Sequence, residues 1–68
     1  MENKKIAIIG SGNIGTAIYR GLTNNKVSPG QFFLTRRQAD LLSQHKSEGA
    51  HVGSDNNEAV KNAEIIIL

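Results

Sequence analysis

The stretch KKIAIIGSGNIGTAIYRGL, residues 4–22, decides how the rest of the chain is read. Ile6-Ala7-Ile8-Ile9 is a short, β-branched apolar run, the composition of a parallel strand covered on both faces. Gly10-Ser11-Gly12-Asn13-Ile14-Gly15 follows it as G-x-G-x-x-G. Beyond the turn, Ile14, Ala17, Ile18, Gly21 and Leu22 recur at helical spacing, which predicts a helix burying that stripe. A strand entering a helix through three glycines can cradle a phosphate. Gly10 permits the tight turn, Gly12 has no Cβ to hold a pyrophosphate off the backbone, and Gly15 lets helix and strand approach closely. The first N–H groups of the helix lack partners and lie at the positive end of its dipole, so they attract an anion.

Outward from this stretch, the first strand covers 4–9 and the helix starts near Gly12 or Asn13 and runs to about Asn24. Arg20 lies in its last turns, where a cation suits the dipole. Val27-Ser28-Pro29-Gly30 is a turn, because Pro fixes φ and Gly accepts positive φ. Gln31-Phe32-Phe33-Leu34-Thr35 reads as a second strand. A weakly periodic helix over Gln38–Lys46 follows, with Ala39, Leu41 and Leu42 as its apolar contacts and Glu48-Gly49 as its end. His51-Val52 is a short edge strand. Asp55 and Glu58 have capping-box spacing, so a third helix should run to about Asn62 and bury Ala59, Val60 and Ala63. Ile65-Ile66-Ile67-Leu68 is another apolar strand. Alternating strands and helices with short loops predict an α/β fold. It is a Rossmann-type, doubly wound parallel sheet in the order 3-2-1-4, with 51–52 at one edge and 65–68 at the other.

Sixty-eight residues make half an ordinary domain. A chain of this size buries only about 60% of its unfolded surface, so its core is marginal. The sequence stops inside an apolar strand that wants a neighbour. Residues 1–68 are therefore expected to be the N-terminal dinucleotide-binding domain of a longer enzyme, without its further domain. The open strand 65–68 should favour self-association. Eight Lys and Arg against six Asp and Glu give a charge of +2, too balanced to imply a nucleic-acid partner. Cysteine is absent, which excludes disulfides, thiol catalysis and Cys-based metal sites. The N-terminal apolar run is too short for a signal peptide or a membrane span, so the cytoplasm is the expected compartment.

The end of the second strand selects the ligand. A site for NAD usually puts a carboxylate there to accept from the adenosine ribose hydroxyls. Thr35, twenty residues after Gly15, holds that place and is followed by Arg36 and Arg37. A hydroxyl and two guanidiniums attract a 2′-phosphate that an acid would repel, so NADP(H) is favoured over NAD(H). Ser11 can offer its N–H or hydroxyl to a phosphate. Asn13 can cap the helix or touch the cofactor, with capping the simpler role. Asn56 can cap the third helix or reach the adenosine side. His45 reads as an exposed helix-end residue, His51 as a strand-edge residue and Tyr19 as partly exposed. No acid–base pair, triad or metal-ligand spacing is present, so no catalytic or metal-binding residue is expected.

The stretch IAIIGSGNIGTAIYRGL, the TRR turn and SDNNEAVKNAEIIIL together resemble the N-terminal part of pyrroline-5-carboxylate reductase across nearly all 68 residues. That family typically reads I-G-x-G-N-M-G-x-A-[LI]-x-x-G-L at its first turn. Ile14 stands here where methionine is usual, a small apolar exchange. The resemblance implies a cytosolic enzyme of proline biosynthesis that reduces 1-pyrroline-5-carboxylate to L-proline with NADPH or NADH. It places the phosphate loop at Ser11, Gly12, Asn13 and Ile14. The 2′-phosphate side falls at Thr35 and Arg36 with Arg37 beside them, and the adenosine contact at Asn56. It also implies a homo-oligomeric parent whose substrate site and dimer interface belong largely to a helical C-terminal domain. The present residues alone are then expected to show no turnover. Related enzymes with this N-terminal fold are a deazaflavin-dependent NADP reductase and a β-hydroxyacid dehydrogenase. A non-catalytic dinucleotide-sensing module is the reading from a different class.

Overall fold

Among the described residues four parallel strands form one sheet, with 51–53 at one edge, then 32–35, then 6–8, and 65–67 at the other edge. The computed structural model describes residues 4–68. In chain order the strands are β1 (Ile6–Ile8), β2 (Phe32–Thr35), β3 (His51–Gly53) and β4 (Ile65–Ile67). The helices between them are α1 (Asn13–Asn24), α2 (Ser43–Ser47) and α3 (Asn56–Lys61). The expected strand order is therefore the one found. Ile6 pairs with Phe32 on one side and with Ile65 on the other, and Phe33 pairs with His51. All three residues of β1 are buried, as a strand with neighbours on both edges and helices on both faces requires.

One sheet face carries Ile6, Ile8, Phe32 and Leu34, which form the main core with Tyr19, Val27, Leu42 and Ala50. On the other face Ala59 of α3 is buried, while Ile66 remains half exposed. Helix α1 ends in a Schellman arrangement. The Val27 N–H donates to the Leu22 carbonyl at 3.1 Å and the Lys26 N–H to the Thr23 carbonyl at 3.3 Å. Lys26 takes the left-handed position that closes it, at φ 74°.

Several local expectations are corrected. The buried line of α1 is Gly15 and Tyr19, flanked by the half-buried Ile18 and Leu22. Ile14 and Ala17 face outward, with Ile14 79% exposed. Hydrophobicity alone placed the stripe only partly, with Ile18 and Leu22 against the core and Gly21 exposed, because Gly15, which touches β1 most closely, carries no apolar side chain. Tyr19 is fully buried rather than partly exposed, because its hydroxyl finds a polar partner inside. His45 is buried for the same reason and is not an exposed helix end. The second helix begins as a 3-10 turn over Ala39–Leu42. It buries Leu42 but leaves Leu41 53% exposed. Asp55 caps α3 through the N–H groups of Asn57 at 2.9 Å and Glu58 at 3.2 Å. The reciprocal Glu58 contact of a full capping box does not form among the described residues.

Candidate functional site

The glycine turn stands at the carboxyl ends of the strands, where β1 passes into α1. Gly10 adopts φ 70°, a conformation that residues with a side chain rarely take. A Cβ on Gly15 would lie 3.1 Å from Ile8 Cγ2 and 3.5 Å from the Gly10 carbonyl oxygen, so this glycine is the point of contact between helix and strand. Gly12 behaves differently. Its φ of −84° lies outside the left-handed range, and a Cβ there would meet nothing within 4 Å. The protein's own packing gives no reason for a glycine at that position, whereas a group lying against the backbone does.

Gly12 is the N-cap of α1, and no side chain among the described residues caps that end of the helix. Asn13 is its first residue and is exposed, so the capping role drawn from sequence is not formed. The N–H groups of Asn13, Ile14 and Gly15 precede the intrahelical ladder, which starts with Thr16 donating to the Gly12 carbonyl at 2.9 Å.

Ser11 and Thr35 occupy a different place from the one their chemistry suggests in sequence. Both are buried. The Ser11 hydroxyl donates to the Ile8 carbonyl at 2.9 Å, and its N–H donates to the Thr35 carbonyl at 2.6 Å. Thr35 Oγ1 accepts from the Gly10 N–H at 3.2 Å. Both residues thus hold the turn from behind, and their polar groups are engaged within the protein.

A cleft of about 510 Å³ opens in front of the turn, lined by Gly10, Thr35, Arg36, Arg37, Ser54 and Asn56 among others. It lies beyond the carboxyl ends of β1, β2 and β3, the crevice where open α/β sheets receive ligands. Arg36 is half-buried, Arg37 is exposed, and neither has an ion-pair partner among the described residues. Asn56, the first residue of α3, is exposed on the wall. The structure therefore brings Gly10 of the turn, Thr35, both arginines and Asn56 around one opening, while Ser11, Gly12, Asn13, Ile14 and Gly15 are not in its lining. A second cleft, of about 280 Å³, lies at the opposite ends of the strands between Lys5, Phe33 and α3, away from the turn.

The other polar cluster is structural. The Tyr19 hydroxyl donates to Glu48 Oε1 at 2.8 Å, Arg20 donates to Glu48 Oε2 at 2.8 Å, and His45 Nδ1 lies 3.3 Å from Oε1. The Tyr19 and His45 rings are 4.7 Å apart. Arg20 thus serves this ion pair instead of the helix end. Burial, and then the Glu48 carboxylate, pushes the Tyr19 phenol up to about 12. The Tyr19 hydroxyl, and then Arg20, holds the Glu48 carboxyl down at about 2. No local pattern signals this cluster, because Glu48 lies 28 positions from Arg20. Among the described residues no three His, Cys, Asp or Glu side chains converge as metal ligands, and no helix is long and apolar enough to cross a membrane.

Comparison with known proteins agrees with this geometry. The family described as NADP oxidoreductase, coenzyme F420-dependent, matches residues 5–68. Pyrroline-5-carboxylate reductase 2 of Dictyostelium discoideum is 41% identical over 69 aligned positions, covering 98% of this chain and 23% of that protein. Pyrroline-5-carboxylate reductase 1 of the same organism is 38% identical over 64, covering 93% of this chain and 12% of that protein. The chain thus spans less than a quarter of the length of these relatives. A solved pyrroline-5-carboxylate reductase from Coxiella burnetii superposes with a TM-score of 0.85 at 32% identity, covering 96% of this chain and 24% of that one. The chain belongs to this NADP oxidoreductase family, and within it the likeness is to the N-terminal part of pyrroline-5-carboxylate reductase.

Proposed function

We propose that this chain binds NADP(H) as the cofactor-binding part of a cytoplasmic reductase that converts 1-pyrroline-5-carboxylate to L-proline. The observation that carries the cofactor is the pair Arg36 and Arg37, without ion-pair partners among the described residues, at a cleft that Gly10 of the turn borders. The Asn13, Ile14 and Gly15 N–H groups would receive the pyrophosphate over the open position at Gly12. Arg36 and Arg37 would hold the 2′-phosphate, Asn56 would meet the adenosine, and exposed Ile14 would offer an apolar contact. Ser11 and Thr35 would shape the site from beneath.

Once bound, the cofactor supplies a hydride to the substrate's imine carbon. The contribution of these residues is to bind and orient it. Tyr19, His45 and Glu48 answer one another between α1 and α2 and do not line the cleft. Turnover would then require the rest of a longer parent. The open edge of β4, with Ile66 half exposed, is where copies of the chain would associate.

The family description favours a second reading, an NADP reductase working with coenzyme F420, which would use the same cofactor half. Binding of the cofactor is tested by calorimetric titration of the protein with NADPH and NADH. Tighter binding of NADPH is expected. Equal affinities would refute the 2′-phosphate assignment, and no binding of either would refute the cofactor reading. Assaying the parent with 1-pyrroline-5-carboxylate and with a deazaflavin separates the two substrates.

A further inference from the structure

Thr35 makes two hydrogen bonds to the glycine turn, one from each of two consecutive residues. Its side-chain oxygen accepts from the Gly10 N–H at 3.2 Å, and its carbonyl accepts from the Ser11 N–H at 2.6 Å. Thr35 is 1% exposed and Ser11 is buried, while Gly10 is exposed, so the side-chain bond is part-buried. Gly10 is the residue at φ 70°, where the turn departs from the strand direction. Thr35 is also the last residue of β2, directly before Arg36 and Arg37. The Arg36 N–H is fixed in turn by the Gly53 carbonyl of β3 at 3.1 Å.

We propose that Thr35 is a positioning residue that sets the glycine turn against the arginines, rather than a contact to the 2′-phosphate. The backbone bond to Ser11 joins the strands' ends in any sequence. The hydroxyl adds the second bond, which holds Gly10 in its left-handed conformation and so aims the α1 N–H groups. The consequence is a distinct pattern of specificity. Loss of the hydroxyl loosens the turn that every dinucleotide shares, so ligands with and without a 2′-phosphate weaken together. A direct contact would weaken the 2′-phosphorylated ligand alone.

This inference rests on the nucleotide reading above, and the experiment separates the two. Amide hydrogen exchange is measured for Gly10 and Ser11 in the ligand-free protein, and affinities for ADP-ribose and 2′-phospho-ADP-ribose are measured by titration. Thr35→Val keeps the shape and removes the acceptor, while Thr35→Ser keeps the acceptor. Thr35→Val is expected to speed Gly10 exchange and to weaken both ligands by the same factor, about threefold to tenfold for one neutral hydrogen bond. Thr35→Ser should restore both, which a general loss of packing at this position would not allow. Weakening of 2′-phospho-ADP-ribose alone, or unchanged affinity for both, would overturn the proposal. An unprotected Gly10 amide in the unsubstituted protein would overturn it too, and this measurement stands even where Thr35→Val fails to fold. If the unsubstituted protein binds neither ligand, the nucleotide reading fails, and exchange at Gly10 still decides whether Thr35 sets the turn.

Discussion

Gly15 and Gly21 lie on the same helix, and the same substitution should act on them with opposite sign. Alanine in place of glycine inside a helix gains about 1 kcal/mol of intrinsic propensity. At Gly21, which is exposed, a new Cβ meets nothing within 4 Å, so most of that gain is realised. At Gly15 the Cβ would lie 3.1 Å from Ile8 Cγ2, 3.4 Å from Ser11 Cβ and 3.5 Å from the Gly10 carbonyl oxygen. None of these can yield easily. Ile8 is 1% exposed in the central strand, and its branched side chain is stiff. The Gly10 carbonyl belongs to a turn tied to Thr35. Overpacking of this kind costs about 1–3 kcal/mol, which exceeds the propensity gain. Gly15→Ala should therefore lose about 1 kcal/mol net, while Gly21→Ala gains about 0.5–1. For a domain of this size each kcal/mol moves the melting temperature by about 4–8 °C, so thermal unfolding followed by circular dichroism resolves both. Relief of the Gly15 contact also pushes α1 away from β1, so NADPH affinity should fall for Gly15→Ala and hold for Gly21→Ala. A Gly15→Ala protein as stable as the unsubstituted one, with equal cofactor affinity, would refute the reasoning.

Arg36→Glu should weaken NADPH by tenfold or more, since a charge-assisted hydrogen bond contributes about 1.5–3 kcal/mol, and should spare NADH in the same titration. The Glu48 carboxyl is held at about 2 in the folded chain, below its ordinary value of 4.5, so its stabilising effect is complete above pH 4.5 and fades as the pH falls towards 2. Urea midpoints across that window should decline for the unsubstituted protein and flatten for Glu48→Gln. Tyr19 is displaced the other way, from 10.0 to about 12, so its effect is complete below pH 10 and is lost as the pH rises towards 12. Tyr19→Phe should abolish that alkaline decline while lowering the midpoint at neutral pH. Lys26→Gly should raise stability by about 0.5 kcal/mol in urea denaturation, because glycine relieves the strain at φ 74° but also loosens the unfolded chain.

The elements of the sheet were legible because their signals are local. Ile6-Ala7-Ile8, Phe32-Phe33-Leu34 and Ile65-Ile66-Ile67 are apolar runs, and right-handed crossovers leave little choice of order. The roles of Gly10 and Gly15 followed from steric rules that need no tertiary information. Side-chain placement was less legible wherever a partner distant in sequence decides it. Tyr19 and His45 look like surface residues until Glu48 arrives to pair with both. Ser11 and Thr35 look like phosphate ligands because hydroxyls suit phosphates, and only the packing of β2 beside β1 shows their groups engaged inside. The exposed faces of Ile14 and Leu41 share a cause. An apolar stripe tells which residues could be buried, while the closest backbone approach decides which are.

The position of β1 has a kinetic consequence. It precedes both β2 and β4 in the chain and lies between them, so its pairing finishes only when β4 arrives. Lys5 and Glu64, joined by a hydrogen bond, are 59 positions apart. Every ladder in the sheet is parallel, so none can form from a hairpin, and the loops must close before their contacts reward them. On the ribosome, β1 can dock on β2 once Phe32–Thr35 has emerged, yet its other edge stays bare until Ile65 is made. Until Ile65–Ile67 has emerged, the strand at the centre of the sheet is an outer one, and it is then that the young chain is most open to pairing with a neighbour.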